Sequence, residues 1–309
     1  MFFRGSNGGC AARIDTDAHG DIYSLIEGGH VIRFLLNSGP SSRPSMQRST
    51  LLEAISVNFS NSPRLSIVTV TYNAAGVIRE TLESVVKQTY PNIEYILIDG
   101  GSKDGTQDII REYQEYISCF RSEPDNGTYD AMNKAIDIAT GEWIIFINAG
   151  DFLVNEEIVA QVFAHPIPEK YDFIYGDYMW KGDRYAMRVA SRPLHRMWQR
   201  ICFSHQSLFA RTRLMKEKKF DLRYRIVSDY NFYFSCYMQG SQFLMMDFPI
   251  SVFRAGGLSD LNFLERTRER WQVVRQYKKS LIVHGYYLWL ILNHFHYRPV
   301  ATWRALRKR

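Results

Sequence analysis

Cysteine is scarce: of 309 residues only Cys10, Cys119, Cys202 and Cys236 carry a thiol, far apart and with no short metal-ligand spacing. That excludes a zinc cluster and a disulfide scaffold, and favours a reducing, cytoplasmic setting. No Gly-x-Gly-x-x-Gly opens the first helix of the central region and no Gly-Lys-Ser/Thr loop occurs anywhere, so dinucleotide oxidoreductases and P-loop kinases lose ground. Long apolar runs are missing too. The dense stretch Leu281 to Ile291 is broken by His284 and Gly285 and falls short of the ~18 to 20 residues that span a bilayer. Charge of one sign is in modest excess: 38 Lys plus Arg against 32 Asp plus Glu leave a formal +6, which favours an anionic partner without identifying one. At 46% hydrophobic and 23% charged residues the chain has ordinary globular composition, enough for one large domain or two modest ones.

The two ends differ in character. Met1 to about Pro63 is rich in Gly, Ser, Asn and Arg, lacks the apolar core and cleavage site of an export signal, and is punctuated by Pro40, Pro44 and Pro63. Its short apolar pieces, Val31 to Leu36 and Leu51 to Val57, suit isolated elements at most. The expectation for residues 1–63 is a poorly ordered extension, with Met46 a candidate start. At the other end, residues 261–309 read as a helical segment in which Tyr and Trp precede His294, His296, Arg298, Arg304, Arg307, Lys308 and Arg309. Aromatic rings beside a basic tail suit a segment lying in the lipid headgroup region. The bland reading, a helix packed on the domain with a solvated basic end, stands beside it.

Between these ends the pattern is that of an α/β unit. Ser66 to Thr71 is a short β-branched run and reads as a buried strand. Ile78, Leu82, Val85 and Val86 then recur at helical spacing until Pro91. A second strand at Tyr95 to Ile98 ends at Asp99 and the turn Gly100-Gly101-Ser102-Lys103-Asp104-Gly105. Ile109, Tyr113, Tyr116 and Ile117 mark another helix. Met132, Ala135, Ile136 and Ala139 mark a third, closed by Gly141 before the strand Trp143 to Ile147. Parallel strands joined this way bind ligands beyond their carboxyl ends. There the sequence places Thr71, Tyr72 and Asn73, then Asp99, then Asn148, Gly150 and Asp151.

A carboxylate at Asp99 can accept a hydrogen bond from the ring N–H of uracil or guanine, or simply bond its own turn. The stretch Glu123 to Lys134 sets Asp130, Asn133 and Lys134 at neighbouring helical positions; Lys134 suits a diphosphate, or is a solvated surface lysine.

In this order the motifs resemble the family 2 inverting glycosyltransferases with a GT-A fold, which use nucleotide-diphosphate sugars, from about Leu65 to Gly257. The family's first-strand end appears as Thr71-Tyr72-Asn73, its base-binding Asp-Asp-Gly-Ser turn as Asp99-Gly100-Gly101-Ser102, and its mid-domain helix as Asn126 to Lys134. Asp-Asn-Gly-Thr-Tyr-Asp-Ala-Met-Asn-Lys and Phe-Ile-Asn-Ala-Gly-Asp are similar to the branch that builds bacterial exopolysaccharide, including colanic acid transferases. The resemblance implies an α/β GT-A domain over residues 64–260, with a Rossmann-like, mostly parallel sheet flanked by helices and followed by a helical, membrane-associating tail. It implies donor binding by Thr71, Tyr72, Asn73, Asp99, Ser102, Asp130, Asn133, Lys134 and Asn148.

One departure stands out. Where the family carries Asp-x-Asp to hold a divalent ion, this chain reads Asn148-Ala149-Gly150-Asp151, leaving Asp151, with the Asn148 amide oxygen, to hold Mg²⁺ or Mn²⁺. The plainer reading of Asp151 is a helix cap. By resemblance, Tyr175-Gly176-Asp177, His205 and Gln206 belong to the acceptor side, Asp229 falls at the catalytic base, and Gly256-Gly257-Leu258-Ser259 at a closing turn. The expected function is inverting transfer of a hexose to a lipid-linked saccharide on the cytoplasmic membrane face, with no nucleic-acid partner. A non-catalytic nucleotide-sugar or glycan-binding module is the alternative, and a nucleotidyltransferase a weaker third.

Overall fold

The computed structural model describes the backbone of residues 62–182, 185–255 and 262–306 and of four short strands before them, and the side chains of residues 62–182, 185–255 and 262–294. Two units separate, Met1–Val57 and Asn58–Arg309. In the first, β1 (Phe2–Phe3) pairs antiparallel with β2 (Ala12–Arg13), and β3 (Ile22–Glu27) with β4 (His30–Leu35). The apolar piece at Val31 falls on β4, while Met46 and Leu51 to Val57 lie outside the described residues.

In the second unit, β5 (Leu65–Thr71), β6 (Ile93–Asp99) and β8 (Trp143–Phe146) form where β-branched and aromatic runs are buried on both faces. Leu65 and Ile67, Tyr95 and Leu97, Trp143 and Ile145 face one core cluster. Val68 and Val70, Ile96 and Ile98, Ile144 and Phe146 face the other. This period of two places the three strands between helix layers. On one side α1 (Ile78–Val86) contributes Ile78, Leu82 and Val85. On the other α3 (Thr128–Ile138) contributes Ala131, Met132, Ala135 and Ile136.

The segment expected as a helix through Ile117 divides. Its helix α2 (Thr106–Arg111) is followed by a 3₁₀ turn at Gln114–Tyr116 and a further strand, β7 (Cys119–Ser122). That strand is a short sheet edge with exposed Phe120 and Arg121, so neither alternation nor an apolar run announces it. After β8 come β9 (Phe152–Leu153), α4 (Ile158–Val162), β10 (Tyr171–Lys181), β11 (Ala186–Val189), β12 (Leu208–Arg211), α5 (Thr212–Lys218), α6 (Ser228–Met238) and β13 (Gln242–Arg254).

The sheet order is β7-β6-β5-β8-β12-β10-β13-β9, with β11 on β10. The first four strands are parallel, but β12 pairs antiparallel with both β8 and β10, and β9 pairs antiparallel with β13. The expectation of a mostly parallel sheet is therefore corrected to a mixed one. In the second half β10 and β13 still pair parallel, but β11 returns directly beside β10 as a hairpin, which needs no helical crossover.

Gly141 does not cap α3, which ends at Ile138. It sits against β5, where a Cβ would stand 2.5 Å from the Ser66 nitrogen. Its N–H donates to Ser66 Oγ at 2.9 Å, and Ser66 Oγ donates to buried Glu94 at 2.5 Å. Thr140 completes the knot, its N–H and hydroxyl each donating to Glu94 at 2.7 Å.

The chain ends on α7 (Phe263–Tyr277) and α8 (Leu281–Leu306). Val273, Val274, Val283 and Tyr287 are buried in the core, while Leu281, Ile282, Leu288, Trp289 and Leu292 are exposed. Among the described residues no helix is long and apolar enough to cross a membrane.

Burial alone would push the Glu94 carboxyl up, but Ser66 and Thr140, with Arg64, hold it below its ordinary value. Because the folded group titrates below the unfolded one, its contribution is complete above about pH 5 and fades as pH falls through the lowered value. Glu94→Ala leaves three donors unmatched and is expected to lower the unfolding free energy by about 2–4 kcal/mol, read from the urea midpoint at pH 7, with a smaller loss below pH 4.

Candidate functional site

At the carboxyl ends of β5, β6 and β8 the parallel register sets Thr71 opposite Asp99. Beyond β8 a cavity of about 600 Å³ opens, lined by Asn148, Asp151, Tyr129, His205, Gln206, Asp229 and several arginines. Residues from widely separated stretches of sequence converge there.

Asp151 is almost fully buried. Gln206 Nε2 donates to its Oδ2 at 2.6 Å, and the Arg254 backbone N–H donates to its Oδ1 at 2.9 Å. Burial pushes its carboxyl up to about 6, against the pull of the Arg254 N–H, His205 and Gln206. The helix-cap reading fails, because Asp151 leads into β9. Asn148 Oδ1, also buried, has no hydrogen-bond partner.

Asp229 is the second residue of α6, where the helix N-terminus favours an anion. The Tyr129 hydroxyl lies 2.8 Å from Oδ1, and the Tyr230 N–H donates to the same oxygen at 2.7 Å. His205 Nδ1 is 3.1 Å from Oδ2. Burial raises this carboxyl, but His205, Tyr129 and the Tyr230 N–H together hold it below its ordinary value. The imidazole bridges the two halves of the site: its Nε2 lies 3.1 Å from Asn148 Nδ2. With the proton on Nδ1, facing the carboxylate, Nε2 accepts from the amide.

The expected donor-binding residues are distributed unevenly. Asn148 lines the cavity. Tyr72 is exposed at the end of β5. Asn73, at a positive φ of 47°, accepts the Lys103 N–H at 3.0 Å, and its own N–H donates to Ser102 Oγ at 2.8 Å. Thr71 Oγ1 is buried without a partner. Asp99 is corrected: it has no exposed surface and cannot face a base. Its oxygens accept from the Ser102 N–H at 3.0 Å, from the Ser102 hydroxyl, and from Ser122 Oγ at 2.7 Å.

Asp130, Asn133 and Lys134 are not among the cavity-lining residues. Asp130 accepts the Asn126 N–H at 2.9 Å. Asn133 brackets the backbone of Phe220, donating to its carbonyl at 2.9 Å and accepting its N–H at 2.8 Å. Lys134 donates to the Pro124 carbonyl at 3.0 Å and pairs with Glu123 at 3.0 Å, so it braces a loop. Asp177, expected on the acceptor side, is tied to Arg188 at 2.5 Å and to the Ser191 N–H at 2.7 Å. The closing turn at Gly256 to Ser259 lies outside the described residues.

Sequence reasoning passed over Tyr129, the Arg254 N–H and Arg270. The guanidinium of Arg270 lies 4.9 Å from the Tyr230 ring centroid, and its Nε and Nη2 have no hydrogen-bond partner. Nothing in a basic helical stretch singles out that arginine.

Residues 66–235, more than half of the chain, match the model of the family described as Glycosyl transferase family 2. A PGL/p-HBAD biosynthesis glycosyltransferase of Mycobacterium bovis is 33% identical over 181 residues, covering 57% of this chain and 70% of that protein. The UDP-Glc:alpha-D-GlcNAc-diphosphoundecaprenol beta-1,3-glucosyltransferase WfaP of Escherichia coli is 35% identical over 130 residues, 42% of this chain and 51% of WfaP. Two solved structures share the fold. S. aureus TarS 1-349 in complex with UDP-GlcNAc has a TM-score of 0.55 at 18% identity, over 74% of this chain and 70% of that one. The mannosyltransferase PcManGT from Pyrobaculum calidifontis, in complex with GDP-Man and Mn2+, has a TM-score of 0.58 at 18% identity, over 75% and 73%. With the strand-end crevice and its buried aspartates, these matches place the chain in glycosyl transferase family 2, as a glycosyltransferase.

Proposed function

We propose that the chain moves a hexose, with inversion, from a nucleotide-diphosphate sugar to a hydroxyl of a lipid-linked saccharide, in exopolysaccharide or other cell-surface polysaccharide synthesis on the cytoplasmic membrane face. The observation that carries this reading is the run Asn148, His205, Asp229 beside Asp151 in one cavity. It sets a fixed carboxylate next to a place for a sugar diphosphate. That WfaP is named for a diphosphoundecaprenol-linked acceptor supports the lipid-borne substrate.

In the proposed reaction the acceptor oxygen bonds to the anomeric carbon as the bond from that carbon to the diphosphate oxygen breaks. The hydroxyl proton passes to Asp229. Its carboxylate is ionised at neutral pH because its hydrogen-bond partners hold it low, and Tyr129 and His205 fix its direction. The unpartnered Asn148 Oδ1 and the Asp151 carboxylate are hard oxygen donors suited to Mg²⁺ or Mn²⁺, with phosphate and water completing the set. Among the described residues no group of three acidic, His or Cys side chains is placed to hold a metal alone. When bound, such an ion neutralises the leaving diphosphate. Arg270 lines the same cavity with its Nε and Nη2 buried and unpartnered, and suits a phosphate as well.

The tail reading becomes more specific. Tyr286 and Tyr287 donate to the carbonyls of Gln199 and Trp198 at 3.0 and 2.7 Å, so α8 packs on the domain. Leu281, Leu288, Trp289 and Leu292 lie along its outer face at helical spacing and are exposed, ahead of the basic end. We propose that this face lies on anionic lipid.

Three outcomes are expected. Asp229→Asn keeps donor affinity and lowers kcat by about 10²- to 10⁴-fold, followed by release of the nucleoside diphosphate; unchanged turnover would remove Asp229 from the reaction. Folded Asp151 keeps its proton to about pH 6, far above the unfolded group, so stability is lost as pH rises through that range. Asp151→Asn is therefore expected to melt higher than the parent at pH 7.5 without metal, while losing activity in Mn²⁺. Replacing Leu288, Trp289 and Leu292 together by Glu spares the buried Val283 and Tyr287 and is expected to abolish co-sedimentation with phosphatidylglycerol vesicles, with turnover of a soluble acceptor retained.

A further inference from the structure

Position 100 is glycine for want of space. Its backbone does not call for glycine: it is absent from the positive-φ residues, which include its neighbour Gly101 at 83°. A Cβ built on it would stand 2.6 Å from Asp125 Oδ2 and 3.2 Å from Cδ2 of the Tyr72 ring. The place that the second carboxylate of an Asp-Asp-Gly-Ser turn would fill is thus taken by a carboxylate from another loop.

That loop is held in place by the sheet. β7 runs parallel to β6 with Asp99 opposite Ser122. The Glu123 N–H donates to the Asp99 carbonyl at 3.0 Å, and Lys134 grips the Pro124 carbonyl. Asp125 Oδ1 accepts the Gly127 N–H at 2.8 Å, which turns Oδ2 toward Gly100. Beside it Tyr72 is 66% exposed, an aromatic side chain open to solvent at the end of β5. Asp99 offers nothing to a ligand here, being fully enclosed by Ser102 and Ser122.

Resting on the nucleotide-sugar reading above, we propose that Asp125 reads the donor's base. The base stacks on Tyr72, and its ring N–H donates to Asp125 Oδ2. One open carboxylate oxygen matches the single imino N–H of uracil, whereas the guanine edge presents two donors and cytosine presents an acceptor at the same ring position. Asp125 is therefore a specificity-determining residue. The carboxylate has moved from the turn after β6 to the loop after β7, and Gly100 makes the room.

The test is calorimetric titration of the full chain with UDP, GDP and CDP in Mg²⁺. The parent is expected to favour UDP over CDP by tenfold or more. Asp125→Asn retains an oxygen for the Gly127 N–H and presents an amide donor to the base. It is expected to lose UDP affinity about 10- to 100-fold while gaining on CDP, since cytosine accepts at that position. A second variant, Gly100→Asp with Asp125→Gly, returns the carboxylate to the turn and is expected to recover UDP binding relative to Asp125→Gly alone. Asp125→Asn with the parent's UDP affinity and UDP-to-CDP ratio would overturn the assignment and leave the glycosyltransferase reading intact. A parent that prefers GDP would overturn the choice of uracil, and one that binds none of the three would sink the donor reading itself.

Discussion

A carboxylate taken out of water must be surrounded by donors, and three such groups shape the active end of this molecule. Asp99, Asp151 and Asp229 are all buried, and each gathers chain from elsewhere. Asp99 draws in Ser102 and Ser122. Asp151 draws in Gln206 and the backbone at Arg254, and Asp229 draws in Tyr129 and His205. The three differ in how fully they are compensated. Asp99 is enclosed by hydroxyls and an N–H, Asp229 is held below its ordinary value, and Asp151 stays above it. A buried carboxyl short of donors is one that a cation relieves, and a buried carboxylate rich in donors is one whose direction is fixed.

The parallel half of the fold was legible because its strands are buried on both faces and so read as unbroken apolar runs. The end-of-strand rule then sets Thr71, Asp99, Asn148 and Asp151 on one rim. The mixed half was not legible. Whether β12 lies parallel or antiparallel to β8 depends on long connections, and a short apolar run carries no sign of direction. β7 escaped notice for a different reason, since an edge strand with exposed Phe120 and Arg121 has no periodicity to read.

Within the site, the meeting of His205 with Asp229 was not legible: resemblance gave each a separate role, 24 positions separate them and no local pattern joins them. Asp130, Asn133 and Lys134 show the opposite failure. Their helical spacing suggested a shared task toward a ligand, yet each braces a neighbouring loop instead. Spacing along a helix reports which side chains are neighbours, and the surrounding segments decide what they touch. Gly100 and Asp125 make the same point in reverse: strand register lays two loops side by side, so a carboxylate absent from one turn is met in space by one from the next.

The two phenols of α8 do more than fasten a helix. Tyr286 and Tyr287 hold the backbone at Gln199 and Trp198, and the chain they grip runs on through Cys202 and Phe203, both buried, to His205. Six positions along the chain thus separate the Gln199 backbone held by α8 from the imidazole between Asp229 and Asn148. On the proposed seating of α8 against lipid, that surface would serve as a datum plane for the groups around His205, and would set how far above it an incoming hydroxyl must rise.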